Sequence, residues 1–128
     1  MQIFLPVKTV SEPNLREHWG KHARRARKQR EAARTIVRAH ILRNKVVPVD
    51  SHLTISLTRV APRALDSDNL AGSFKAVRDG VADALGIDDG SPLLEWRYCQ
   101  ARGLAKEYAV LVEIEQTGQA QQGKAGKE

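Results

Sequence analysis

The chain has 128 residues, a hydrophobic fraction of 41%, a formal net charge of +6 and a sequence pI of about 9.8. That length fits one domain with one modest core, and the charge favours a polyanionic partner, nucleic acid or an anionic surface, without bearing on the fold. A single cysteine, Cys99, excludes an internal disulfide framework and a cysteine-based zinc site.

The start, Met1 to Val10, is too short in apolar residues for a secretory signal, and no later run approaches the roughly 18 apolar residues of a membrane span. No membrane partner is expected, and the cysteine usage suits a reducing, cytoplasmic location.

In chain order, Gln2 to Val7 reads as a short strand and Ser11-Glu12-Pro13-Asn14 as a turn opening a helix. Helical composition then runs from Leu15 to about Leu42, with Ala33, Ile36, Val37 and Ile41 near helical spacing, so that helix should dock by its C-terminal half. Leu53 to Thr58 alternates apolar and small polar residues, the period of a half-buried strand. Leu70, Phe74, Val77, Val81 and Leu85 recur at helical spacing on one face of a second helix, which Gly86 can terminate. Two further strands follow, one with Leu94, Trp96 and Tyr98 on a face and one with Tyr108, Val110, Val112 and Ile114, joined by a hairpin loop at residues 102–106. Residues 117–128 are rich in Gln, Gly and Lys, lack apolar anchors and are expected to form a disordered tail after a domain spanning 1–116. The order β-α-β-α-β-β indicates an α/β (α+β) fold, a small two-layer sandwich with a mixed sheet.

Acidic residues bracket the second helix of this basic chain: Asp66 and Asp68 before it, Asp88 and Asp89 after it. Carboxylates gathered in one place repel unless a metal or a basic side chain neutralises them, and hard oxygen donors suit Mg²⁺. In an extended segment residues two apart share a side, so Asp66 and Asp68 can aim at one site. Lys75, seven residues past Asp68, falls on nearly the same helical face. Taken singly, Asp68 reads as a helix cap, Asp66 as a turn residue and Asp88-Asp89-Gly90-Ser91-Pro92 as a turn. A helix of about 17 residues also spans roughly 25 Å, so Asp89 must fold back to reach Asp68.

The first helix carries a large excess of cations, among them Arg24, Arg25, Arg27, Lys28 and Arg30. Such residues neutralise phosphates and release counterions, and without interleaved aromatics they suit backbone and shape recognition better than single-strand stacking. His18 and His22 share a helix face, but the Glu of a zinc-protease pattern is absent, so a solvated or DNA-facing pair is expected. Trp19 and Trp96 read as packing residues and Cys99 as structural.

The order Arg63, Asp66, Asp68-Asn69, Lys75, Asp79, Asp88-Asp89 and then Trp96 resembles the RusA family of Holliday junction resolvases and its phage-type relatives. The resemblance covers roughly Leu53 to Ile114 in layout and is specific over Asp66 to Asp89. It implies a homodimeric, Mg²⁺-dependent endonuclease that nicks four-way junctions in branched double-stranded DNA during recombination or repair. On that likeness Asp66, Asp68 and Asp89 are the metal-binding catalytic acids and Lys75 the catalytic lysine. Asn69 and Asp88 support them, and Arg63 joins the DNA-binding set. In better-known members the lysine follows Asp-Asn by one turn, whereas Leu70-Ala71-Gly72-Ser73-Phe74 intervene here. Either Lys75 approaches from the next turn, with Gly72 permitting a local distortion, or the helix begins later than Asp68. A non-catalytic DNA-binding phage accessory protein and an RNA-binding or RNA-cleaving module are the other readings.

Overall fold

The computed structural model describes residues 1–10, 19–44 and 52–116. The turn expected at Ser11 to Asn14, the first part of the long helix, including His18, and the tail at 117–128 lie outside the described residues. The elements are β1 (Gln2–Leu5), α1 (Trp19–Asn44), β2 (Leu53–Ala61), α2 (Ser67–Ser73), α3 (Lys75–Leu85), β3 (Leu94–Arg102) and β4 (Ala109–Gln116). They form an α+β fold in which helices cover one face of a four-stranded mixed sheet of order β1-β4-β2-β3.

Strand β2 is central: it pairs parallel with β3, Ile55 opposite Trp96, and antiparallel with β4, Ile55 opposite Ile114. The expectation of a β3/β4 hairpin is therefore corrected, because β2 lies between them and residues 103–108 carry the chain across its end. A parallel pair needs a crossover, and α2 with α3 supplies it. Tyr108 falls just before β4 rather than within it, while Val110, Val112 and Ile114 are buried as their alternation predicts. β1 stops at Leu5, where Pro6 offers no amide to a ladder. β2 runs three residues beyond Thr58, to Ala61, and so includes the buried Arg59.

The inward face of the sheet joins Ile3, Leu5, Leu53, Ile55, Leu57, Val110 and Val112 to Val37, Val77 and Val81 from the helices in one core. α1 docks through Gln29, Ala33 and Val37, centred slightly earlier than its apolar periodicity suggests. There α1 meets α3 so closely that a Cβ on Gly80 would lie 2.4 Å from the Arg30 carbonyl oxygen and 2.7 Å from the Ala33 Cβ. Trp19, expected to pack, is 76% exposed. Cys99 is exposed on β3.

The second helix is two helices meeting at Phe74. Buried Ser73 turns its Oγ back to donate to the Leu70 carbonyl at 2.7 Å, a bond that bends helices, and the Phe74 amide donates to Ala71 O at 3.2 Å in a shortened turn. Phe74 is fully buried and stacks on Tyr98 with ring centroids 5.5 Å apart. Burying such a ring stabilises by about 2–3 kcal/mol, more than the ~1 kcal/mol of one helical hydrogen bond, so packing sets the break. α3 ends as expected at Gly86, φ 72°, with the Gly86 amide on Asp83 O and the Ile87 amide on Ala82 O.

Candidate functional site

The segment between β2 and α2 is fixed from both sides. Gln100 on β3 donates through Nε2 to the Leu65 carbonyl at 2.8 Å and accepts the Leu65 amide on Oε1 at 2.9 Å. From beneath, Arg59 donates through Nη1 to the Arg63 carbonyl at 2.7 Å. Burial lowers the pKa of Arg59, and its Nε meets no partner among the described residues, so its main-chain contact is a costly and directional one.

Asp66 follows in extended backbone, φ −61° and ψ 153°, at the N-cap position of α2. Its carbonyl accepts the first helical bond from Leu70 N at 2.8 Å, yet its carboxylate makes no capping hydrogen bond. Asp68, expected as the cap, stands inside the first turn and is exposed. Neither carboxylate pairs with a described side chain, and Asn69 beside them is half-buried. The capping bond is thus absent, while Asp68 in the first turn still complements the helix dipole. A cavity of about 340 Å³ lined by Arg63, Gln100 and Arg102 opens at the same end of the sheet.

Asp89 belongs to a different station. Arg78 Nε donates to its Oδ2 at 3.0 Å and Nη2 to its carbonyl at 3.1 Å, while Nη1 reaches the Tyr98 hydroxyl. Trp96 Nε1 donates to the same carbonyl at 2.9 Å, and the guanidinium lies 4.8 Å from the Trp96 ring centroid. The basic side chain that offsets this carboxylate is thus Arg78. Asp88 accepts the Gly90 amide on Oδ2 at 3.0 Å, a local turn bond. Trp96 and Gln100, which anchor the two stations, are four residues apart on β3, about 13 Å along the strand. Among the described residues no three His, Cys, Asp or Glu side chains gather at a spacing that holds a metal ion.

Lys75 pairs with Asp79 at 3.5 Å. It lines a cleft of about 320 Å³ with His22, Arg30 and Gly72, on the α1 side of the helices. Because α2 begins at Ser67, the longer spacing to Lys75 is not due to a late helix start; the break at Phe74 lies between them. Of the basic residues, Arg24, Arg27, Lys28, Arg30 and Arg63 are exposed and Arg25 is half-buried. Arg30 is held by Asp83, with Nε on Oδ2 at 2.7 Å and Nη2 on Oδ1 at 3.0 Å; this bond raises the pKa of Arg30 and lowers that of Asp83.

Sequence reasoning missed Arg59, Arg78, Tyr98 and Gln100 as organisers of these stations. An arginine in phase with Leu57 and Ala61 on a strand was a signal that could have singled out Arg59.

The chain is 38% identical over 96 residues to an uncharacterized protein of Xylella fastidiosa strain Temecula1, an alignment covering 70% of this chain and 62% of that protein. The chain therefore spans less than two thirds of that relative's length. No protein-family profile matches the chain. No described helix is long and apolar enough to cross a membrane.

Proposed function

We propose that this chain is a Mg²⁺-dependent, structure-selective endodeoxyribonuclease of the RusA type that nicks four-way DNA junctions. The observation that carries the reading is the unengaged pair Asp66 and Asp68, exposed at a braced helix start beside a cavity walled by Arg63 and Arg102. Two carboxylates with substrate phosphate oxygens are a sufficient protein donor set for a hydrated Mg²⁺, so these residues fit the ion. When bound, the ion supplies charge stabilisation at a phosphoryl oxygen and an activated water. The chain's own residues orient and bind: Gln100 and Arg59 hold the loop that leads into α2, and Arg63 and Arg102 offer charge to a phosphate. Asp68 lies inside the helix rather than in the extended segment expected, so the two carboxylates do not share a side by strand geometry, and a hydrated ion would bridge them through water. Asp89, held by Arg78, supports the fold in this arrangement and would enter the site only by leaving that partner. A two-fold dimer suits the reading because paired nicks need two related sites.

One observation favours the non-catalytic DNA-binding alternative: Asp66, Asp68 and Asp89 do not assemble into one group. Incubating the full chain with a labelled four-way junction and a matched linear duplex, with and without Mg²⁺, decides between them. Mg²⁺-dependent nicks confined to the junction support the nuclease; binding without nicks under every condition removes it.

A further inference from the structure

The basic helix does not present its cations evenly. Lys21, Arg24, Arg25 and Lys28 recur at spacings of three, one and three, which places them on one stripe of α1. That stripe forms one wall of a groove of about 820 Å³, whose other wall is the segment after β1, with Lys8. Gln29, buried at the base, donates to the Lys8 carbonyl at 2.7 Å and so fixes the distance between the walls. The Lys8 ammonium is itself held 4.4 Å from the centre of the Tyr108 ring. Five cations line this groove and, among the described residues, no carboxylate does. The neighbouring groove along α1 has a different lining: Arg34 and Arg38 share it with Asp83 and Asp88, so carboxylates stand among its cations.

We infer that the Lys8/α1 groove is a track for the phosphodiester backbone of a DNA duplex, separate from the carboxylate site. The inference rests on the nucleic-acid reading above and adds to it a place and a membership. Lys8 and Lys21 join the contact set, whereas Arg30, committed to Asp83, leaves it. The groove flanks β1, and Asp66 and Asp68 lead into α2, which packs on β3; β1 and β3 are opposite edges of the sheet. Three strand spacings separate those edges, about 14 Å, so a duplex roughly 20 Å wide can touch both. A branched substrate thereby gains a grip on one arm away from the point of cutting.

Anisotropy of a fluorescein-labelled duplex, measured with the full chain across a KCl series, tests this. Each lost phosphate contact lowers the salt slope by about 0.9, so Lys21→Ala/Lys28→Ala should lower it by about 1.8 and Lys8→Gln by about 0.9. Arg34→Ala/Arg38→Ala removes the same charge from the same helix and should leave the slope unchanged. Circular dichroism checks folding, and Lys21→Arg/Lys28→Arg should restore the wild-type slope whatever the alanine pair does to stability. Equal slope changes in the groove and control pairs, or none in the groove variants, overturn the inference. So does displacement of the duplex by phosphatidylserine vesicles or by RNA at concentrations where unlabelled duplex does not compete. The two proposals fail separately. A wild type that binds through the groove but never cuts a junction removes the nuclease alone. A wild type that cuts while the groove variants bind as tightly removes the groove alone.

Discussion

Arg78 grips Asp89 at two points, its Nε on the carboxylate Oδ2 at 3.0 Å and its Nη2 on the main-chain carbonyl at 3.1 Å. The pair ties the first turn of α3 to the turn before β3, and Trp96 closes the third side. Both partners are partly buried, so the bond is worth more than an exposed ion pair, on the order of 1.5–3 kcal/mol for a hydrogen-bonded charge. Arg78→Lys cannot reproduce the fork or the stacking on Trp96 and should lose about 1–2 kcal/mol in urea denaturation. Asp89→Asn keeps the carbonyl contact and weakens the other, so it should be destabilised by a smaller amount. A metal-free Asp89→Asn protein as stable as wild type would mean that Arg78 does not hold this carboxylate.

Gly80 has no room to grow. Its missing Cβ would sit 2.4 Å from a main-chain oxygen of α1, and backbone cannot rotate away as a side chain can. Gly80→Ala should cost about 1–3 kcal/mol despite the better helix propensity of alanine, which offers at most about 1 kcal/mol in return. Gly72→Ala, with nothing within 4 Å of its Cβ, is the matched control and should be neutral or slightly stabilising; melting temperatures distinguish them.

Asp83 provides an acid-side signature. Its hydrogen bond from Arg30 depresses the carboxyl pKa, so the pair stabilises the fold above the ordinary aspartate range, near about 4, and loses that contribution as pH falls through the lowered folded value. The stability difference between wild type and Asp83→Asn should be constant from neutral pH to about 5 and shrink below it. Both side chains are substantially exposed, which limits the difference to under about 1 kcal/mol. A difference that grows on acidification contradicts the pairing.

Asp68→Asn separates architecture from chemistry. The Asp68 side chain makes no hydrogen bond or ion pair with a described residue, so the variant should melt within about 0.5 kcal/mol of wild type and bind junction DNA at least as tightly. Under the nuclease proposal it should not nick. Undiminished nicking assigns the chemistry to other residues.

Much of the fold follows from local pattern. The alternation in β2, the spacing from Leu70 to Leu85 and the stop at Gly86 each report a burial or dihedral requirement that acts within a few residues. The strand order does not follow, because β2 pairs on both sides with segments that come later in the chain, and a short glycine-containing connection resembles a hairpin whether or not its flanking strands meet. The positions of the acidic residues were legible unequally. Asp66 and Asp68 mark the start of α2, as Asp residues before an apolar helical face suggest, whereas the position of Asp89 depends on Arg78, Trp96 and Tyr98, three side chains whose convergence no spacing rule encodes.

The break at Phe74 also divides the protein in time. α2 has seven residues, too few to persist as a helix by itself, and it no longer shares an uninterrupted ladder with α3. Its amides should therefore exchange with solvent deuterium through local openings that leave α3, packed on α1, closed. α2 can then open from its Phe74 end without global unfolding, while the Gln100 and Arg59 bonds keep the residues just before Asp66 tied to the sheet.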